Sequence, residues 1–560
     1  MVKESLYSAR TGEERRFVCC EWWCEGYWLS LGELNQCEGE SGGSPRVPFL
    51  MRLRAVRRMA SPGRFPRNKW IIRFWGMASN MARQMNHLGV ESLPEPPRAA
   101  VKEVAGDALV VGGGLAGLSV AGELAKLGFR VTVVEGFKAL GGRHALDSGK
   151  LVDGKVPAEL IRDLAGRLEG DPNVTILTGA AFDGRLEDAV IAHSLDGSTV
   201  FKLRHRYVVF ATGSREVPIV YPGNASVTTF TGWTYLTLLK SGALKHKSVA
   251  VYGSDDWGVR VAHAIKSAGV SVSLLDNSVQ VRSDAYRDLA RELNVETSVN
   301  LTREKLVGMG VDALVAAARV PAIEAVVQWG GEAYYEHELG GMIPRHSWSG
   351  EVMGTTDAYV VGEAGGLIPV HLIPLQAKAV AAGIAFKEGR IGEADLDKAI
   401  AEFRTAINVA SPKQFNAFQR LDKGLHEIGL FVEPNVINVP QWGSEMNLED
   451  AEEELICPCE DVSLGDLLED VKALTGVKEI KVTVLHEETL EARNFRPPSM
   501  EKIKRTTGLG TGACQGKLCM MTATLILARI FQKKPREVGI FKQRFPLHPI
   551  PMGVAGDASE

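Results

Sequence analysis

The sequence predicts an α/β fold with two Rossmann-like halves and a small C-terminal cysteine domain. Three observations carry this. Residues 107–135, DALVVGGGLAGLSVAGELAKLGFRVTVVE, read as a strand–turn–helix–strand unit around a G-x-G-x-x-G turn. Residues 248–276 repeat the plan with fewer glycines. Four of the eight cysteines form two tight pairs near the end, Cys457/Cys459 and Cys514/Cys519. A chain of 560 residues also exceeds one core, and 45% apolar with 24% charged residues is ordinary globular composition.

Before the first unit, residues 1–45 show no clean periodicity and end in the soft stretch ESGGSP, within an extension taken as 1–50. Cys19, Cys20, Cys24 and Cys37 have no zinc-ligand spacing, so this segment is expected to be a poorly ordered extension, with Met51 and Met59 as alternative starts. Residues 51–103 form a basic arm and linker. From 41 to 90 there are ten Arg or Lys and no Asp or Glu, beside Trp70, Phe74 and Trp75. The bland reading, a surface arm docked on acidic protein, is preferred over a phosphate, membrane or nucleic-acid grip. The net charge of −4 gives no reason to expect nucleic acid as a partner. No run of 18 apolar residues is present, so no transmembrane segment is expected, nor does the start resemble a signal peptide. Cysteines in two groups, over four hundred residues apart, fit local sites in a reducing, cytoplasmic compartment, with peripheral membrane association left open.

The first half is expected over residues 104–220. Ala108–Val111 reads as a buried strand, Leu118–Leu127 as a helix and Arg130–Val134 as the second strand. Gly112 permits the tight turn, Gly114 lets the backbone approach a pyrophosphate, and Gly117 lets helix and strand pack closely. Leu115 and Ala116 lie at the helix N-terminus, which offers N–H groups and a positive dipole end to phosphates. Glu135 is placed to accept hydrogen bonds from an adenosine ribose. Gly142 and Arg143, in FKALGGRHAL, bring a second glycine pair and a cation toward the cofactor. Pro157–Leu168 reads as a helix, Val174–Leu177 as a strand and Val190–Leu203 as a hairpin. The strand Tyr207–Phe210 runs into Ala211, Thr212 and Gly213, a string that recurs where flavoprotein chains leave their first dinucleotide domain, and it turns the choice from NAD toward FAD.

The second half, 221–329, carries Asp255 and Asp256 in its turn, where carboxylates repel a pyrophosphate. A degenerate second Rossmann-like domain is therefore expected, with NAD or ATP there left open. The chain returns to the first domain over 330–400. There a strand, Ala358–Val361, ends in Gly362 and Glu363, where two-dinucleotide flavoproteins place an acidic residue, usually Asp, on the ribityl or pyrophosphate part of FAD. Residues 401–450 are expected to be a connector, helical over 398–430, followed by a cysteine domain over 451–530 and a tail over 531–560. Two thiolate pairs among the glycines at 508, 510, 512 and 516 suit a 2Fe-2S cluster with Cys457, Cys459, Cys514 and Cys519 as ligands. Zinc and free cysteines are the alternatives.

Several strings together carry a family resemblance: RFPRNKWIIRFWGMASN, LVVGGGLAGLSVAGELAKLGFRVTVVE, ATGSREVPIVYPGN, VYGSDDWGVRVAHAI, KRTTGLGTGACQGKLC and PLHPIPMGV. From about residue 60 onward the chain resembles the α subunits of heteromeric amine and amino-acid oxidoreductases. Sarcosine oxidase α is nearest, and dye-linked L-proline dehydrogenase, octopine/nopaline oxidase and hydrogen cyanide synthase subunits are relatives. The resemblance implies a glutathione-reductase-like, two-dinucleotide-domain flavoprotein with an inserted second Rossmann-like domain. It further implies a β subunit carrying the amine-oxidising flavin, small additional subunits, and FMN at a subunit interface. The four late cysteines match cluster-bearing dehydrogenase relatives. An apparent insertion, TVLHEETLEARNFRPPSME, separates the pairs. The folate-binding domain of sarcosine oxidase α is not matched before Glu560, so no folate chemistry is expected in this chain. No Cys–His or Ser–His–Asp set stands out, and the catalytic residues stay unknown. Electron transfer within a heteromeric enzyme is the first functional reading. A stand-alone NAD(P)H-dependent reductase passing electrons to a quinone or disulfide is the second. A nucleotide-binding scaffold or sensor is the third.

Overall fold

In the computed structural model the described residues are 2–7 and 14–19, as backbone alone, and 99–550. Within the latter span 148, 150–153, 187–188, 222–223, 225–227, 277–285, 297–300, 302, 426–453, 477–495, 513, 532 and 549 are left out. The aromatic residues of the basic arm, Cys20, Cys24, Cys37 and residues 483–495 of the apparent insertion thus lie outside the described residues. Val2–Tyr7 pairs antiparallel with Glu14–Cys19.

Valine-rich runs build the first sheet. Six of its strands are β1 (Ala100–Val111), β2 (Val131–Glu135), β3 (Val174–Thr178), β4 (Ala180–Leu186), β5 (Ala189–Ser194) and β6 (Thr199–Phe210). Their order is β3-β2-β1-β6-β5-β4, and the strand Ala358–Val360 adds itself parallel to the end of β6. β1 and β6 run parallel along their whole length, Ala108 opposite Tyr207 and Val111 opposite Phe210. The expected hairpin is present as antiparallel β5 and β6, with Val190 opposite Leu203. Successive side chains of a strand point to opposite faces. Ala108, Val110, Val133 and Val209 accordingly enter one core, and Leu109, Val111, Val134 and Phe210 another. Helix α1 (Leu115–Lys126) covers the first of these faces. Small residues, Ala121 on α1 and Ala377 and Ala381 on a later helix, Ile373–Lys387, let those two helices pack together.

The second half is a parallel sheet of β7 (Thr229–Thr231), β8 (Ser248–Tyr252), β9 (Ser271–Leu275), β10 (Asn294–Glu296) and β11 (Ala313–Ala316), in the order β7-β11-β8-β9-β10. Its two faces have different owners. Val249, Val251, Leu274 and Val315 join the core shared with α2 (Asp256–Ser267). Ala250, Tyr252, Leu275, Leu314 and Ala316 instead meet Ile456, Cys457, Leu464, Met521 and Phe531. A parallel sheet needs cover on both faces, and here the cysteine domain supplies one of them. That domain is therefore part of the fold and not an appendage. It consists of α3 (Leu464–Thr475), α4 (Met500–Thr507) and α5 (Met520–Phe531) around the cysteine loops.

Most expected spans shift by one or a few residues. The helix read as Pro157–Leu168 runs Pro157–Glu169. Of the helical stretch expected over 398–430, residues 426–430 lie outside the described residues, and the rest forms two helices, Glu393–Ala410 and Pro412–Lys423, because the residue before a proline is pushed out of the helical region and Ser411 stands there at φ −157, ψ 89.

Candidate functional site

The turn between β1 and α1 is shaped by backbone contact. Gly112 has φ +110, and a Cβ on it would lie 2.4 Å from the Ala211 carbonyl oxygen. A Cβ on Gly117 would lie 1.8 Å from the Gly112 carbonyl oxygen, closer than any side chain tolerates. Gly114 caps α1 without a side chain, so the N–H groups of Leu115, Ala116 and Gly117 point out with no cap to receive them. The expected second glycine pair comes to the same place. Gly141 N donates to Gly113 O at 2.8 Å, and a Cβ on Gly142 would lie 3.2 Å from Gly114 Cα. At the end of β2, Glu135 accepts from Gly113 N at 2.6 Å and from Phe137 N at 2.7 Å. Burial raises its carboxyl above the ordinary value, and those two amides draw it partly back.

On the far side, Ala211 N donates to Val111 O, and Thr212 Oγ1 donates to Ala322 O at 2.7 Å. Gly213 has φ +71 with open space around it. Gly362 lies against α1, since a Cβ on it would stand 2.5 Å from Ala116 Cβ, and its N–H donates to buried Gln376. Gly112, Gly114, Leu115, Ala116, Gly117, Gly142 and Gly362 therefore surround one helix N-terminus, with Glu135 at one end and Glu363 at the other.

The second half repeats the backbone and fills the hole. Gly253 has φ +115, close to the +110 of Gly112, and a Cβ on Gly258 would lie 1.8 Å from Gly253 O, the same contact as at Gly117. Ser254 N donates to Asp276 at 2.9 Å, as Gly113 does to Glu135. At the head of α2, however, Asp255 Oδ1 accepts from Gly258 N at 2.9 Å. The position where a phosphate would sit on a helix N-terminus is taken by a carboxylate of the chain itself.

Between the halves lies a buried set of charges in which only Arg143 and Glu363 belong to motifs read from the sequence. Glu363 accepts from Ser214 Oγ at 2.8 Å and from Arg319, which also reaches Asp255 at 3.3 Å. Arg143 donates to Ser214 O at 2.5 Å and lies over the Trp257 ring. The expected phosphate-directed cation is thus turned toward the seam between the halves. Trp257 donates to Glu216 at 2.7 Å, and Arg260 pairs with Asp147 and donates to Tyr286. His144 stands among them, and burial lowers its imidazole to about 4.

The four late cysteines meet. Contacts run from Cys519 to Cys457, from Cys457 to Cys459 and from Cys459 to Cys514. Cys457, Cys514 and Cys519 are buried. Hydrogen bonds from neighbouring thiols lower the thiols of Cys457 and Cys514, which also receive backbone N–H groups of Gly510 and Glu460, and of Leu518 and Gly516. Cys519 is raised. Among the described residues no three His, Cys, Asp or Glu converge as for a single metal ion; the thiols touch in sequence. The residue set and its N–H donors fit a thiolate-bound cluster in chemistry. The loop also holds Lys517, whose Nζ donates to Leu547 O at 2.7 Å and whose ammonium burial lowers to about 7. Leu547 N donates in turn to Asp183 O on β4. The closing PLHP string therefore ties the cysteine loop to the first half.

Fold and site define an α/β dinucleotide-binding flavoprotein oxidoreductase. Residues 106–326 match the family described as pyridine nucleotide-disulphide oxidoreductase, and residues 477–558 match the sarcosine oxidase A3 domain. The A-type subunit of opine oxidase from Rhizobium meliloti (strain 1021) is 22% identical over 510 residues, covering 81% of this chain and 99% of that one. The alpha subunit of sarcosine oxidase from Corynebacterium sp. (strain P-1) is 24% identical over 480 residues, 79% of this chain and 44% of that one. In fold the chain is similar to L-proline dehydrogenase from P. horikoshii, with TM-score 0.57, 22% identity, and coverage of 83% and 82%. The chain is thus similar to the α subunits of the sarcosine and opine oxidase type. No helix among the described residues is long and apolar enough to cross a membrane.

Proposed function

We propose that this chain is the electron-transferring α subunit of a heteromeric amine or amino-acid dehydrogenase or oxidase, of sarcosine or proline type. In this reading a partner β subunit oxidises the substrate, with FMN at the interface between them. The chain itself holds FAD at Gly112–Glu135 and a 2Fe-2S cluster on Cys457, Cys459, Cys514 and Cys519. These groups would supply the electron-carrying chemistry. The residues bind and orient them. The bare α1 N-terminus receives the pyrophosphate, Glu135 accepts from the adenosine ribose, and Glu363 faces the flavin end. The lowered thiols of Cys457 and Cys514 favour ligation as thiolates.

The observation that carries the reading is the pairing of one open dinucleotide cradle with four thiols that touch in sequence inside a single fold. The capped α2 disfavours the alternative, a stand-alone NAD(P)H reductase, because Asp255 competes with the second pyrophosphate. Anaerobic co-purification with the partner subunits, followed by dye reduction with a panel of secondary amines and amino acids, tests it. Reduction that requires the partner and is lost in Cys457→Ser supports the reading. Full dye reduction by the isolated chain with NADH overturns it.

A further inference from the structure

His144 is 6% exposed, yet neither ring nitrogen has a hydrogen-bond partner. Nδ1 stands 3.7 Å from Asp147 Oδ2, and Nε2 stands 3.8 Å from Glu363 Oε1. Both distances allow electrostatic attraction and neither is a hydrogen bond. Each carboxylate has nearer partners than the imidazole. Asp147 is engaged by Arg260 and by Gly149 N at 3.0 Å, and Glu363 by Arg319 and Ser214. A buried polar ring with both nitrogens idle is costly, and such rings in native proteins have a partner in the working state.

The place of His144 says what that partner is. It sits in the turn Gly142–Leu146, two residues after the glycine that packs on Gly114. Its Nε2 faces Glu363, next to the glycine that packs on Ala116. A ligand running from the α1 N-terminus toward Glu363 passes between these two contacts. Burial and the positive charges of Arg260 and Arg319 hold the imidazole neutral. A neutral imidazole offers one donor and one acceptor, which complements a hydroxyl, itself both donor and acceptor. It does not complement a phosphate, which only accepts.

We propose that His144 is a cofactor-contacting residue of the first-half site, pairing with the hydroxyl-bearing ribityl link of a bound flavin dinucleotide. This rests on the reading of that site as an FAD site. It adds a binding residue, on the flavin side, that the glycine motif does not contain.

The test uses the deflavinated full chain and three forms of residue 144: the parent, His144→Leu and His144→Gln. FAD binding is read by quenching of flavin fluorescence. ADP, which shares the adenosine and pyrophosphate but has no ribityl, is read by competition. In His144→Leu the affinity for FAD is expected to fall about tenfold, while ADP binds as in the parent. Glutamine, with a donor and an acceptor of its own, is expected to restore most of the loss. Because the leucine replaces an idle buried polar group, the FAD-free variant is expected to melt no lower than the parent. Unchanged FAD affinity in His144→Leu overturns the proposal while leaving the FAD site standing, and so does an equal loss of FAD and ADP. A parent that binds ADP but no FAD overturns both.

Discussion

Asp255 Oδ1 accepts a hydrogen bond from Gly258 N at 2.9 Å, and this contact separates the two halves of the molecule. Glycine-to-carbonyl packing is the same in both, 1.8 Å from a built Cβ to the turn oxygen at Gly117 and at Gly258. The helix head differs. On α1 it is bare, and on α2 a carboxylate has closed it. The same backbone therefore makes one open cradle and one sealed copy.

The two glycines separate binding from stability. Gly117→Ala pushes the phosphate loop away from β1 and is expected to lower FAD affinity at least about tenfold. Gly258→Ala makes the same clash in the sealed half. It is expected to cost about 1–3 kcal/mol in a urea titration without changing FAD affinity. The reverse pattern would place the cofactor in the wrong half.

Asp255→Ala removes the cap and opens the α2 head. Loss of an N-cap costs about 1 kcal/mol, so the melting temperature should fall. Added inorganic phosphate is then expected to raise the melting temperature of the variant more than that of the parent, because an anion replaces the missing carboxylate. Equal phosphate response in both proteins would show that Asp255 does not guard that position.

The buried imidazoles make the chain acid-sensitive. His144 is neutral in the fold until about pH 4, whereas an unfolded histidine protonates near pH 6.5. The unfolded state therefore binds the extra proton first as pH falls. Its contribution is fully present above pH 6.5 and is lost between 6.5 and about 4, roughly 2 kcal/mol of it by pH 5. Buried His346 and half-buried His548 shift the same way. Urea midpoints at pH 7.5 and pH 5 should drop accordingly, and His144→Leu should shrink the drop. A midpoint that rises on acidification contradicts this.

Serine at any one of Cys457, Cys459, Cys514 or Cys519 is expected to remove most iron and acid-labile sulfide from anaerobically purified protein, while Cys20→Ser and Cys24→Ser leave both at the parental level. Zinc at about one per chain in place of iron would point to the tetrahedral alternative.

What was legible in the sequence was the part fixed by steric exclusion over a short distance. Gly112 and Gly117 could be read because only glycine fits against a carbonyl, and the aspartates of the second turn because charge at a helix head has a known sign. Cys457 with Cys459, and Cys514 with Cys519, could be paired by spacing, and the structure brings the two pairs into contact. The seam between the halves could not be read. Of its members only Arg143 and Glu363 were marked by a motif; His144, Asp147, Arg260 and Arg319 are spread over up to 175 positions, and each looks locally like an ordinary surface residue. The alternation that hands Ala250 and Tyr252 to the cysteine domain was equally hidden, since a strand covered on both faces reads as continuous apolar sequence.

The most direct measurement is the cofactor content of anaerobically purified chain, with released nucleotides identified by mass and the flavin spectrum followed on adding NADH. One FAD per chain that NADH does not bleach is the result predicted by an open first cradle and a sealed second. Bound NAD without flavin, or rapid bleaching by NADH, would contradict it.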